Sequence, residues 1–128
     1  MAKFYELNVY HAASQLYLSL NKHTEKMPKK YWYAHIPGIL QKIEEIMVVI
    51  SFANNTKDKS SVLIPAIHDV ERLQITLRNF YEVKIISKKG FASLAEASEK
   101  LLRQLRGWSN KYSGLSTEKT LESNNNAY

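Results

Sequence analysis

The chain has 128 residues, 45% hydrophobic and 23% charged, which suits one domain with a sizeable core. With no cysteine it has no disulfide, thiolate metal site or cysteine nucleophile, and only four glycines and three prolines speak against a turn-rich all-β fold. Eighteen lysines and arginines against twelve acidic residues give a formal charge of +6, which points to a polyanionic partner, nucleic acid first, although a charge of that size also serves solubility alone.

The opening stretch MAKFYELNVYHAASQLYLSL has its apolar run broken by His11, Ser14 and Gln15. It suits neither a signal peptide nor a membrane span, for which about 18 uninterrupted apolar residues are needed. The expectation is a soluble, cytoplasmic protein. A first helix is predicted over about residues 7–24, with Val9, Ala13, Leu16 and Leu20 as its seam. Pro28 closes the polar stretch after it.

The second helix, about residues 30–54, has an ambiguous start. It begins near His35 with Pro37 in its first turn, or near Lys30 with a kink at Pro37. The second reading is preferred because Trp32 and Ile36 already sit at helical spacing. From Ile46 to Ala53 (IMVVISFA) the pattern is apolar nearly all round, so burial on more than one side is expected. The run is too short to cross a membrane, and Met47, Val48, Val49 and Phe52 are candidate oligomer-interface residues.

Residues 54–60 (NNTKDKS) form a polar connection, after which Ser60 or Ser61 is the expected cap of a third helix over about residues 61–82. Leu63, Ala66, Val70, Leu73, Leu77 and Phe80 alternate at spacings of three and four, the clearest core seam of the chain. The fourth helix is placed at about residues 91–113. Phe91, Leu94, Ser98, Leu101, Leu105, Trp108 and Tyr112 line its seam, with Ser87 as an alternative cap and Gly114 as its stop. Residues 114–128 read as a mobile polar tail. The expected fold is therefore all-α, an up-down-up-down antiparallel four-helix bundle over residues 1–113.

Catalytic signatures are weak. None of His11, His23, His35 and His68 is preceded by glutamate at the spacing of a carboxylate-bridged metal pair, and no zinc-protease or phosphate-loop pattern occurs. Glu44-Glu45, Asp69-Glu71 and Glu96-Glu99 fall on polar helix faces, and His68-Asp69 lacks a nucleophile beside it. No enzyme, metal or cofactor is expected. Tyr31-Trp32-Tyr33 reads either as a staple between helices or as part of a contact surface.

The basic residues are more suggestive. Lys22, Lys26, Lys29 and Lys30 gather around the first connection. Lys100, Arg103, Arg106 and Lys111 line polar positions of the fourth helix, with Lys88 and Lys89 before it. A solvated face balanced by Glu96 and Glu99 accounts for the fourth-helix set equally well.

Taken in order, the segments resemble a known group of small bacterial four-helix-bundle proteins. LNVYHAASQLYLSLNKHTEKMPKKYWY is similar to the opening helix and P-x-x-x-x-Y junction of that group. It includes proteins encoded in ribosomal-RNA intervening sequences and the accessory variability determinant (Avd) proteins of diversity-generating retroelements. FANNTKDKSSVL, LQITLRNFYEVKIISKKGF with its L-x-x-x-L-R element, and LLRQLRGWSNK resemble segments of the Avd branch. The intervening-sequence branch carries S-I-P-x-N-I-A-E-G where this chain has VVISFANN.

The Avd resemblance implies a homopentameric barrel of bundles. It also implies a non-catalytic accessory protein that binds a retroelement reverse transcriptase and RNA or DNA, supporting mutagenic cDNA synthesis and retrohoming. Arg78 falls on the arginine of L-x-x-x-L-R and Gly107-Trp108 on the closing motif. Arg72, Arg103 and Arg106 flank these motifs as candidate nucleic-acid or polymerase contacts. The competing readings are a bundle of the ribosomal-RNA intervening-sequence type and a generic structural or protein-interaction bundle.

Overall fold

The computed structural model describes the backbone of residues 2–124 and the side chains of residues 2–112. Among the described residues there are four α-helices, one short 3-10 turn at Phe4–Glu6 and no strand. The helices are α1 (Asn8–His23), α2 (Lys29–Asn54), α3 (Lys59–Glu82) and α4 (Lys88–Asn124). Each packs on its neighbour in sequence, and α1 closes the ring against α4.

Cross-helix contacts fix the directions. Ser60, Glu71 and Gln74 of α3 meet Ser109, Arg106 and Glu99 of α4 in falling order. Lys42 of α2 faces Asp69 of α3, and His35 lies edge-on to Phe80. At the α1–α4 seam, Gly90 sits against His23. Consecutive helices run antiparallel, which is the four-helix bundle that the apolar periodicity leads to.

The core is built from the apolar seams of the four helices, with Ile46 of α2 buried and Met47 beside it only half-buried. Val9, Ala13, Leu16 and Leu20, then Ile36, Ile43, Ile46 and Ile50, then all six seam positions of α3, are buried. From α4 come Leu94, Ser98, Leu101, Leu102 and Leu105. Ser98 tolerates full burial because its hydroxyl donates to the Ala95 carbonyl and Gln74 reaches it from α3. Thr24 does the same at the end of α1, donating to the Leu20 carbonyl at 2.7 Å.

Several boundaries differ from the sequence reading. Asp58, not Ser60 or Ser61, caps α3. Its carboxylate accepts from the Ser61 amide and hydroxyl, because the helix starts two residues earlier than expected. Pro65 therefore lies well inside α3. Ser87 caps α4 by accepting from the Gly90 amide at 2.9 Å, so the helix starts at Lys88 and not at Phe91.

Gly114 does not end α4, whose backbone continues to Asn124. One glycine costs a helix only about 1 kcal/mol relative to alanine, and Leu115, Glu118, Lys119 and Leu121 behind it are good helix formers. The expected tail is thus helix as far as residue 124. Residues 125–128 lie outside the described residues.

α2 is continuous from Lys29 through Pro37 and Gly38. Pro37 has no amide to offer the Tyr33 carbonyl, but it lies on the exposed face, where that carbonyl keeps access to solvent. Restoring the missing bond should strengthen the helix. Pro37→Ala is expected to raise unfolding stability by up to about 3 kcal/mol, read as a higher urea midpoint at unchanged slope.

Candidate nucleic-acid interface

Antiparallel alternation brings the α1–α2 and α3–α4 connections to one end of the bundle. The contact of Gly90 with His23 and the stacking of Tyr81 on Phe91, with centroids 4.7 Å apart, tie that end together. Residues 22–30 and 82–89 carry seven lysines here: Lys22, Lys26, Lys29 and Lys30, joined by Lys84, Lys88 and Lys89. All seven are exposed, and none forms a salt bridge among the described residues. The acidic residues of these segments are Glu25 and Glu82, and Glu82 is already paired with Arg78 at 3.0 Å.

The field at this pole comes from the lysines. The α2 and α4 N-termini lie here with the α1 and α3 C-termini, so the helix dipoles offset one another in pairs. Lys22 suits the end of α1. Lys29, Lys30, Lys88 and Lys89 occupy first turns, where carboxylates are preferred and where neither helix has one. Lys84 adds a second departure, a non-glycine residue at φ 64°. That conformation closes α3, with the Lys84 amide donating to the Tyr81 carbonyl and the Ile85 amide to the Phe80 carbonyl, a position more often held by glycine.

The remaining predicted contacts are dispersed. Arg106 is bound to Glu71 at 2.9 Å across the α3–α4 seam. Arg78 is bound to Glu82 and lies 5.8 Å from the Phe91 ring centre. Both pairs are largely exposed, so each contributes under about 1 kcal/mol, but each reduces what its arginine offers a phosphate. Lys100 and Arg103 project from α4, and Lys111 lies beside Tyr112 at 5.9 Å. Arg72 sits apart from these, on the α2–α3 side near Lys42. The Lys42 ammonium is held above the usual lysine range, first by its hydrogen bond to Glu45, then by the charges of Asp69 and Glu45. Lost hydration and the charge of Arg72 pull the other way.

The predicted oligomer residues divide. Val48 and Phe52, one turn apart on α2, are 61% and 70% exposed, while Met47 and Val49 are half-buried flanks. Ile46, Ile50 and Ala53 face the core, so the all-round apolar run serves two surfaces.

The other end of the bundle contains a lysine that sequence reasoning passed over. Lys59 Nζ donates to the carbonyl oxygens of Ala53, Asn54 and Thr56 at 2.7, 3.3 and 2.7 Å, closing the C-terminus of α2. Trp108 and Tyr112 of α4 hold it from the side, with ring centres at 5.8 and 5.2 Å. The closing Gly107-Trp108 motif thus meets Lys59. Lys84 was also missed, although the topology alone places the first and third connections together.

Compared with known protein families, with curated proteins and with solved structures, the chain matches none. Among the described residues no three histidine, aspartate or glutamate side chains converge as metal ligands, and no helix is long and apolar enough to cross a membrane.

At the lysine pole, helix stability and positive charge oppose one another. Lys88→Glu with Lys89→Glu should stabilise α4 by about 0.3–1 kcal/mol for each charge placed at the helix N-terminus. The same double variant should elute from a heparin column at lower salt than the parent. Thermal unfolding and the elution profile check the two halves.

Proposed function

We propose that this chain is a non-catalytic nucleic-acid-binding bundle that serves as the accessory protein of a diversity-generating retroelement, cytoplasmic and assembled as a homopentamer. The observation that carries the binding part is the pole of seven unpaired lysines, which gives phosphates a cationic face on one end of a rigid scaffold. The family part rests on the order and spacing of the short Avd-like motifs. In this reading the lysine pole holds template RNA or its cDNA. The α3–α4 flank, with Lys100, Arg103 and the motif arginine Arg78, turns toward the reverse transcriptase.

Binding should fall steeply with salt, because each phosphate neutralised by a lysine releases a counterion. Replacing Lys29, Lys30, Lys88 and Lys89 by glutamine should flatten the dependence of log affinity on log salt by about 0.7–0.9 for each phosphate that is no longer neutralised. The measurement is fluorescence anisotropy with labelled RNA and DNA across a salt series. Absence of binding at low salt would remove the nucleic-acid reading.

Self-association follows from Val48 and Phe52, whose exposure on one face of α2 suits contact with a second copy. Phe52→Glu should reduce the mass in solution to that of the single chain, measured by light scattering, with helicity by circular dichroism unchanged. A parent protein that is already monomeric counts against the barrel.

The intervening-sequence type shares the bundle and is separated by gene context. A neighbouring reverse-transcriptase gene with template and variable repeats favours the retroelement. A location inside a ribosomal-RNA gene favours the other.

A further inference from the structure

A groove of about 320 Å³ runs between α2 and α3, where α2 presents Ala34 and Gly38 in place of larger side chains. Ile39, Ile43 and Leu73 line it with apolar surface, and Lys42, Asp69 and Arg72 line it with charge. Ala34 lies one turn from Lys30 on the same side of α2, so the groove opens about 6 Å from the lysine pole. At that mouth His35 is stacked on Tyr31, with centroids 6.5 Å apart and planes 12° from parallel. Phe80 supports the His35 ring from its edge at 5.3 Å, and Tyr31 is 40% exposed.

The charges are unequal in what they offer. Lys42 is engaged by Glu45 at 3.0 Å and Asp69 at 3.9 Å. Arg72 forms no salt bridge among the described residues. The groove therefore combines an apolar lining, an available guanidinium and a flat ring pair, continuous with a lysine-rich surface.

We infer that this groove receives an unstacked base of a single-stranded nucleic acid. Arg72 meets the phosphate of that nucleotide, and the Tyr31–His35 pair stacks the adjoining base. The inference rests on the reading of the lysine pole as a nucleic-acid surface and narrows its substrate to single strands. A base has apolar faces for Ile39 and Leu73, and its exocyclic amine, where it has one, finds an acceptor in the Asp69 carboxylate. A duplex keeps its bases paired and stacked, so it reaches the lysines but not the groove.

The test compares a short single-stranded RNA, the duplex of the same length, and heparin as a polyanion without bases, all at one salt concentration. The groove variants are Arg72→Gln, Tyr31→Ala and Gly38→Met. Gly38 lines the groove and a Cβ there meets nothing within 4 Å, so the position has open space for a larger side chain. Tyr33→Ala is the control, because two helical positions turn Tyr33 about 200° away from Tyr31.

The parent is expected to prefer the single strand over the duplex. Each groove variant should weaken single-strand binding about tenfold, while heparin binding stays within about threefold and Tyr33→Ala behaves as the parent. Groove variants that bind the single strand like the parent, while the lysine variants are weakened, would overturn the groove and leave the nucleic-acid surface standing. Failure of the parent to bind any of the three polyanions would overturn both.

Discussion

Antiparallel alternation of four helices is the constraint on which the rest depends. It is set by the apolar seams, which no single helix can bury alone, and by connections too short to let a helix run parallel to its neighbour. Once the helices alternate, two connections share each end of the bundle. Lys22 to Lys30 and Lys84 to Lys89 then lie at one pole although more than fifty residues separate them in the chain. Charge that is scattered in sequence becomes a surface through topology, and the buried isoleucines and leucines underneath hold it in place.

The destabilisation that comes with that surface is local. Four lysines occupy helix first turns where a carboxylate would be more comfortable, and Lys84 takes a backbone conformation better suited to glycine. The large core tolerates this, because substitutions that weaken a helix end by a fraction of a kcal/mol leave the packing of Leu16, Ile43, Leu77 and Leu101 untouched. A weakly filled seam between α2 and α3 has the same character. Gly38 and Ala34 leave space where a leucine would have added burial.

The seams were legible in the sequence because periodicity reports directly on which face is buried. All six seam residues predicted for α3 are in the core. Helix ends were less legible, since they turn on single hydrogen bonds: Asp58 outcompetes Ser60 and Ser61, and Ser87 works through the amide of Gly90. Gly114 was overread, because glycine weakens a helix without obliging it to stop. Of the interface, the individual lysines were visible but not their meeting, which requires the third connection to be folded back onto the first. The groove left no periodic signal. Pro37-Gly38 read as a possible break, whereas in an unbroken helix the same glycine becomes a gap in its side.

Lys59 completes the contrast between the two ends. Its ammonium is engaged inside the molecule, by three carbonyls and two aromatic rings, so that it behaves as a tethered counterion for the end of α2. Its donors are used within the molecule, while the seven ammonium groups at the opposite pole keep theirs open to solvent. Were the partner a polyanion, as proposed, the two ends would offer it unequal numbers of open ammonium donors, and the lysine pole would be the end presented to it.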